Sequence, residues 1–228
     1  MGKTFEIGSP PILVHMRRSA RARRYSLKVS SADGQAHLIV PNNGTERDAM
    51  SFAGKQEFWL RAALAKVPDV SPPEFGGQLL FEGRTIRLRP GLGRRIYLND
   101  DSLEVPGRSD QLAAKLRGFL KVSAREKLVA ASHKYAHQVE REVSRVTLRD
   151  TRSRWGSCTE AGNLMYSWRL IMAPPMVLNY VAAHEVAHLV EMNHSANFWS
   201  VVSRLMPDYS VHRKWLKQNG AELHRVQL

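Results

Sequence analysis

The pattern of hydrophobic and polar residues in the first hundred positions is that of short strands. The segments Tyr25 to Val29 and Ala36 to Val40 alternate on either side of Ala32-Asp33-Gly34, which predicts a β-hairpin. Three further short strands are predicted at Leu79 to Phe81, Thr85 to Arg89 and Ile96 to Leu98.

A single helix is predicted within this part of the chain. Thr45, with Asp48 three residues later, resembles a helix N-cap, and the helix is predicted to run to about Lys66. We therefore expect residues 1–108 to form a small β-rich N-terminal module with one helix.

The remaining residues, 109–228, have the spacing of helices with a few strands. From Gln111 to Val143 there is no proline and apolar residues recur at helical spacing, which predicts one long helix or two abutting ones. Pro174-Pro175 opens another helix, because proline is tolerated in a first turn. The other predicted elements are strands at Arg145 to Arg149 and Asn163 to Trp168, with a turn at Glu160-Ala161-Gly162 between them, and helices at Ala196 to Leu205 and Val211 to Gln218. The mixture predicts an α+β fold for this second domain.

The charge of the chain is strongly positive. Lys and Arg number 34 against 21 Asp and Glu, which gives a net charge of +13. Five arginines fall within eight residues: Arg17, Arg18, Arg21, Arg23 and Arg24. Such a surface attracts polyanions, most commonly nucleic acid, and the alternative is a solvated face that keeps the protein in solution.

The sequence contains no signal for a membrane or for secretion. Met1 to Pro11 lacks the apolar run of a signal peptide, and no stretch approaches the roughly twenty apolar residues of a membrane span. The single cysteine, Cys158, excludes an internal disulfide framework and any cysteine-based zinc cluster. We expect a cytoplasmic protein.

The segment His184-Glu185-Val186-Ala187-His188 carries the candidate chemistry. Residues four apart lie on one face of a helix, so both imidazoles can bind one metal ion at about 2.0–2.1 Å. Glu185 lies beside the first ligand, where its carboxylate can take a proton from water at the metal without binding the ion itself. The segment predicts a zinc hydrolase with Glu185 as its base.

The alternative is that these histidines are ordinary core residues. An HExxH pattern arises by chance in roughly one of fifty chains of this composition. However, the helix from Met176 to Val190 is apolar nearly all round, which indicates burial, and polar groups are costly there unless something satisfies them. A bound metal would do so. A second pair, His133 and His137, has Lys134 in place of the glutamate and is interpreted as part of a solvated face.

A catalytic zinc needs a third protein ligand, and two residues qualify. Glu191 stays on the same helical face, but it lies seven residues past His184 and thus about 10 Å further along the axis. His194 follows Asn193, which tolerates the left-handed conformation that ends helices, so a turn there would bring His194 back to the metal. We favour one zinc ion bound by His184, His188 and His194, with Glu191 as the alternative.

Longer motifs resemble those of the YgjP-like metallopeptidase family, which is related to the SprT and WLM zinc peptidases. The resemblance rests on Arg154 to Cys158, Trp168 to Pro175, His184 to His188, Asn193 to Ser195 with Phe198-Trp199, and Met206 to Tyr209. The basic stretch Arg17 to Val29 also resembles the N-terminal part of the family, so most of the chain is covered.

This resemblance implies a zincin-like fold in which the active-site helix packs against a small antiparallel sheet. In SprT-like relatives the third ligand is a histidine followed closely by an aromatic residue, which implies His194 followed by Phe198 and Trp199 here.

These observations predict a metallopeptidase that hydrolyses peptide bonds of a polypeptide substrate. If the strand Asn163 to Trp168 is a sheet edge, the substrate would add to it as a further strand; the alternative is an ordinary core strand. A further donor to the reacting carbonyl is not identified, and the candidates are Arg152, Arg154, Tyr209 and His212.

Two other functions compete with this one. The first is a basic nucleic-acid-binding protein whose zinc is catalytically silent, although structural zinc sites are usually closed by four protein ligands. The second, implied by the SprT and WLM resemblance, is a peptidase that acts on DNA-associated proteins.

Overall fold

The computed structural model describes residues 3–30, 34–65 and 71–228 of the chain. The chain forms two compact units, residues 1–70 and 71–228, and each has its own hydrophobic core. The predicted α+β fold class is confirmed. The units divide after residue 70, whereas the sequence indicated a boundary near residue 108.

The first unit is a four-stranded sheet with two helices on one face. Its elements are β1 (Lys3–Ile7), β2 (Ile12–Ser19), β3 (Ser26–Val29), β4 (Ala36–Pro41), α1 (Glu46–Lys55) and α2 (Glu57–Leu64). The strand order is β1-β2-β4-β3, with β2 and β4 parallel and the other pairs antiparallel. The predicted antiparallel pair of β3 and β4 is confirmed, whereas Ala32 and Asp33 of its turn lie outside the described residues.

The helical part of this unit differs from its prediction. The Oγ1 of Thr45 accepts the N–H of Asp48 at 3.1 Å, as expected of the cap. The helix is then interrupted at Gln56, whose φ of −100° and ψ of 10° are not helical, so two helices form instead of one. Lys66, where the helix was expected to end, lies outside the described residues.

The second unit begins with another four-stranded sheet followed by a long helix. Its first elements are β5 (Gln78–Phe81), β6 (Arg84–Gly91), β7 (Tyr97–Leu98), β8 (Ser102–Pro106) and α3 (Ser109–Gln138). The strand order β5-β6-β8-β7, with β6 and β8 parallel, repeats the topology of the first sheet. Leu79, Ile86 and Leu103 of this sheet are buried in the same core as Leu116 of α3, which is why the boundary lies before the sheet.

A three-stranded sheet and three helices complete the second unit. They are β9 (Arg145–Arg149), β10 (Gly156–Cys158), β11 (Asn163–Ser167), α4 (Pro175–Ala187), α5 (Ala196–Leu205) and α6 (Tyr209–Asn219), with short 3-10 helices at Trp168–Met172 and Gly220–His224. The sheet has the order β10-β11-β9. It is mixed rather than antiparallel, because β9 and β11 run parallel while β10 and β11 run antiparallel.

This strand order corrects one prediction and decides between two alternatives. The turn at Glu160 to Gly162 joins β10 to β11, whereas it was predicted to follow β9. The difference arises because the three-residue strand β10, which lies between β9 and the turn, was not predicted. β11 lies in the centre of the sheet, which agrees with the alternative that Asn163 to Trp168 is an ordinary core strand, and β10 provides an edge instead.

Helix α4, which carries His184 and Glu185, is held firmly at its N-terminus. It begins at the predicted proline pair and is buried on nearly every side. The turn between β5 and β6 contacts the segment just before it: the N–H of Glu82 donates to the carbonyl of Ile171 at 2.8 Å, and that of Gly83 to Met172 at 3.1 Å. Gly83 has a φ of +76°, and a Cβ there would lie 2.8 Å from the Cα of Pro174, so only glycine fits.

The longest helix, α3, is too polar to cross a bilayer, and the other described helices are too short or too polar as well.

Candidate metal centre

The three histidines predicted as metal ligands come together at the end of α4. His184 lies in the last turn of α4, His188 at its C-cap, and His194 in the loop before α5. Their potential ligand atoms all lie within 4.8 Å of one another, and Nε2 of His184 is 3.1 Å from Nε2 of His194. Two nitrogens bound to one tetrahedral zinc ion lie roughly 3.4 Å apart, so the spacing suits a single ion.

The orientation of His188 leaves one ring nitrogen free for a metal. Its Nδ1 lies 3.0 Å from the backbone carbonyl of Glu191. Because a carbonyl only accepts, Nδ1 carries the hydrogen and Nε2 is available as a ligand. The carboxylate of Glu191 accepts the hydroxyl of Ser195 at 3.3 Å and is not part of the histidine cluster. Glu191 therefore supports the site through its backbone.

The turn that returns His194 to the site forms around Asn193, but it does not use the left-handed backbone conformation that was expected of this residue. The Oδ1 of Asn193 accepts the N–H of Ser195 at 3.0 Å, which makes an Asx-turn. Among the described non-glycine residues, only Glu82 and Glu140 have positive φ, so Asn193 is not left-handed. Ser195 then caps α5 by accepting the N–H of Phe198 at 3.3 Å.

An aromatic floor supports the three imidazoles. Phe198 is fully buried, and its ring centroid lies 4.5 Å from that of His188, 4.8 Å from His194 and 4.9 Å from His184. Burial, and then repulsion from the neighbouring His188 and His194 whenever those rings are protonated, lowers the pKa of His184 to about 3, and burial also lowers the pKa of His188. These two imidazoles are neutral at physiological pH, which is the form that binds a metal.

The predicted base, Glu185, is buried beside this cluster. Only 5% of it is exposed, and burial raises its pKa to about 8 while the guanidinium of Arg154 acts in the opposite direction. A Cβ at Gly156 would lie 2.5 Å from Oε1 and 2.6 Å from Cγ of Glu185. Gly156 therefore leaves the space that the carboxylate occupies, a relation that the local sequence pattern does not show.

A depression of about 240 Å³ exposes the site to solvent. It is lined by Gly156, Ser157, Cys158, His184, Glu185, His188, Met192 and His194. Burial and then the charge of Glu185 raise the pKa of Cys158 to about 11, and its thiol donates to the carbonyl of Thr159 at 3.3 Å. The thiol is therefore protonated at neutral pH and unsuited to act as a nucleophile.

None of the four described residues named as further donors lines this depression. Tyr209 stacks on Trp199 with centroids 5.4 Å apart, and His212 is hydrogen-bonded to Asp208 at 3.0 Å. Arg213, which the sequence analysis did not identify, places its guanidinium 4.5 Å from the ring centroid of Trp199. The arginines 152 and 154 are exposed, as are His133 and His137 on α3.

Comparison with known proteins agrees with this chemistry. The chain matches the family model for the YgjP-like metallopeptidase domain over residues 23–219. No curated protein matches it. Among solved structures, the metallopeptidase zymogen abylysin of Pyrococcus abyssi is similar over 44% of this chain and 99% of its own, at 16% identity and a TM-score of 0.37. That similarity is too low to support an argument.

Proposed function

Because the chain belongs to the YgjP-like metallopeptidase family, we propose that it is a zinc peptidase with His184, His188 and His194 as metal ligands and Glu185 as general base. The convergence of three imidazoles beside a buried carboxylate supports this most strongly. Three nitrogen ligands with no fourth protein donor are typical of catalytic zinc, whereas structural zinc is usually enclosed by four.

The chemistry divides between the ion and the chain. A zinc ion held by His184, His188 and His194 would lower the pKa of the attacking water toward about 7 and polarise the carbonyl of the substrate. The positive charge of a bound zinc ion would oppose the effect of burial and favour the ionised form of Glu185, which could then accept a proton from the water and pass it to the leaving amine. Gly156 keeps the carboxylate in position, and the carbonyl of Glu191 fixes the ring of His188.

The edge of β10 is the proposed binding site for the peptide backbone. The carbonyl of Trp155 accepts a hydrogen bond from β11 at 2.8 Å, and the N–H of Thr159 donates one to β11 at 3.1 Å. Because residues of an antiparallel pair alternate, Gly156 and Cys158 direct their N–H and C=O groups to the open edge. An extended substrate can pair there as a fourth strand, beside Glu185.

Metal content and cleavage of unfolded casein test the assignment. Wild type should hold one zinc ion and cleave casein. Glu185→Gln should keep zinc and lose at least about 100-fold in rate, because it cannot take the proton. His194→Ala should lose zinc affinity by at least about tenfold, since a ligand is removed.

Glu191→Gln is the matched control for the third ligand. It should keep zinc, because only the backbone of Glu191 contacts His188. An active Glu185→Gln variant would refute the base. Zinc loss in Glu191→Gln, with zinc retained in His194→Ala, would instead identify Glu191 as the ligand.

A second candidate function, nucleic-acid binding, is supported by the open face of the first sheet. Cross-strand pairing places Thr4, His15, His37 and Lys28 in one row across β1, β2, β4 and β3. The imidazoles of His15 and His37 have centroids 5.5 Å apart. Paired residues share a face, and the opposite face packs on the helices, so this row is turned to the open side.

Among the described residues, the open face of this unit carries one acid, Glu6, whereas Glu46 and Glu57 lie on the helices. Arg17 and Lys28 on the open face, and Arg21, Arg23 and Arg24 beyond it, are exposed and form no ion pair with any described residue. Glu46 on α1 pairs with Lys3 at 2.7 Å, and Glu57 on α2 pairs with Arg61 at 2.7 Å. Imidazole rings flanked by free cations suit a single strand, whose bases stack while its phosphates meet the cations.

One of the five predicted arginines has a structural role instead. Nη1 of Arg18 donates to the carbonyls of Asn42 at 3.1 Å and Gly44 at 2.9 Å, which holds the turn after β4. The proposed surface is therefore defined by Arg17, Arg21, Arg23, Arg24 and Lys28, with His15 and His37 between them.

Anisotropy of a fluorescein-labelled single-stranded 20-mer tests this surface. Arg17→Glu with Lys28→Glu should weaken binding at least about tenfold near 0.1 M salt and lower the salt slope by roughly one to two. The control, Arg47→Glu with Lys55→Glu on α1, changes the net charge equally and should have less than about a third of that effect. Equal losses in both variants, or no binding by wild type, would contradict the proposal.

A further inference from the structure

A second depression, of about 420 Å³, lies on the outer face of the sheet that carries β10. In this sheet Leu164 and Tyr166 are fully buried on one face. Gly156 shares that face, since it pairs with Tyr166 and a Cβ added to it would lie 2.5 Å from Oε1 of Glu185. Ser157 pairs with Met165 and therefore points to the opposite face, which forms the floor of this depression.

The rim of the depression is positively charged. Arg149 and Arg154 line it, both are exposed, and neither forms an ion pair or a side-chain hydrogen bond with a described residue. The rest of the lining is Thr147, Thr151, Ser153, Ser157, Thr159, Asn163, Leu164 and Met165, which includes no acid. Asp150, the nearest acid in sequence, is bound to the buried guanidinium of Arg169 at 2.7 Å. Within the described residues, the acid that Arg154 does influence is the buried Glu185, with which it forms neither an ion pair nor a hydrogen bond, so both guanidinium groups are available to a ligand.

The depression adjoins the candidate active site through Ser157, which lines both. A peptide paired with the edge of β10 would place every second side chain on the same face as Ser157. Ser157 is small, so a longer side chain of the peptide can extend across it toward the arginines. A guanidinium binds a carboxylate with two parallel hydrogen bonds, which a neutral amide cannot match.

We propose that this depression is a specificity subsite that accepts an aspartate or glutamate side chain of the polypeptide substrate. This inference rests on the proposed function, because the peptide reaches the depression only by pairing with β10. The selectivity arises from Arg149 and Arg154, and the hydroxyls on the floor supply further donors to a carboxylate.

Peptide binding to the full-length, zinc-loaded Glu185→Gln variant tests the subsite without turnover. The probes are two fluorescein-labelled octapeptides of alanine that carry either glutamate or glutamine at alternate positions. The glutamate peptide should bind roughly fivefold more tightly. Adding Arg149→Gln with Arg154→Gln should reduce this ratio to about one, whereas Arg152→Gln with Arg204→Gln, exposed residues outside the depression, should preserve it.

Every outcome separates the subsite from the catalytic proposal. Equal binding of the two peptides, or equal loss of the ratio in both arginine pairs, overturns the subsite whether or not casein is cleaved. A glutamate preference that depends on Arg149 and Arg154 supports the subsite even if wild type cleaves nothing, in which case the proposed hydrolysis fails alone.

Discussion

At the scale of single residues, the space beside Glu185 is the tightest constraint on the site. Gly156 and Glu185 are far apart in sequence, yet the carboxylate of Glu185 occupies the space that a side chain at Gly156 would need. Gly156 has no positive φ, so the reason for glycine there is close packing and not backbone conformation. The carboxylate itself is the group that must be placed within a fraction of an ångström for proton transfer.

Substitution of Gly156 by alanine should therefore impair catalysis more than folding. The new Cβ would displace the flexible end of Glu185, so we expect peptidase activity to fall about 10- to 100-fold while zinc content stays at one per chain. Overpacking should cost about 1–3 kcal/mol in the free energy of unfolding. Casein cleavage, zinc content and urea denaturation measure the three quantities.

Gly118 provides the control for this substitution. It lies exposed on α3, and a Cβ there would meet nothing within 4 Å. Gly118→Ala should therefore stabilise the protein by about 0.5–1 kcal/mol and leave activity unchanged. If Gly156→Ala were as active as Gly118→Ala, the proposed packing of Glu185 against β10 would be wrong.

At the scale of secondary-structure elements, local signals predicted most of the helices and missed four strands, β1, β2, β8 and β10, of which β1 and β10 are sheet edges. The bounds of α5 were predicted to the residue, and the proline pair marked the start of α4, because caps and apolar spacing are encoded within a few positions. The strand β10 has only three residues, too few for alternation to be recognised. In β2, Ile12, Val14 and Met16 do alternate, but the arginines that follow obscured the pattern.

The candidate site shows the same division between local and distant information. The metal ligands could be predicted from the spacing of His184, His188 and His194, because all three lie in one segment of eleven residues. The contact between Gly156 and Glu185 depends on how β10 pairs with β11. The local alternation of polar and apolar residues does not specify the order of strands in a sheet. For the same reason the sequence left open whether β11 is an edge strand or a core strand, and the structure shows that it is central.

At the scale of the whole molecule, the two proposed activities lie in different units. The histidines, Glu185 and the arginine-lined depression all belong to residues 71–228, whereas the cationic open face belongs to residues 1–70. Each unit buries its own apolar side chains. A net charge of +13 therefore need not serve catalysis, and the two functions should be separable.

The fragment 71–228 should fold alone, hold one zinc ion and cleave casein, since it contains the complete core around α3 and α4. It should start no later than Ser71, whose backbone pairs with Val226 near the C-terminus. The shorter fragment 109–228 should fail to fold, because it lacks the sheet whose Leu79, Ile86 and Leu103 pack in that core. Circular dichroism melts and zinc content compare the two fragments. Cooperative unfolding of 109–228 with zinc bound would show that the β5–β8 sheet is dispensable and that the structural boundary lies near residue 108 after all.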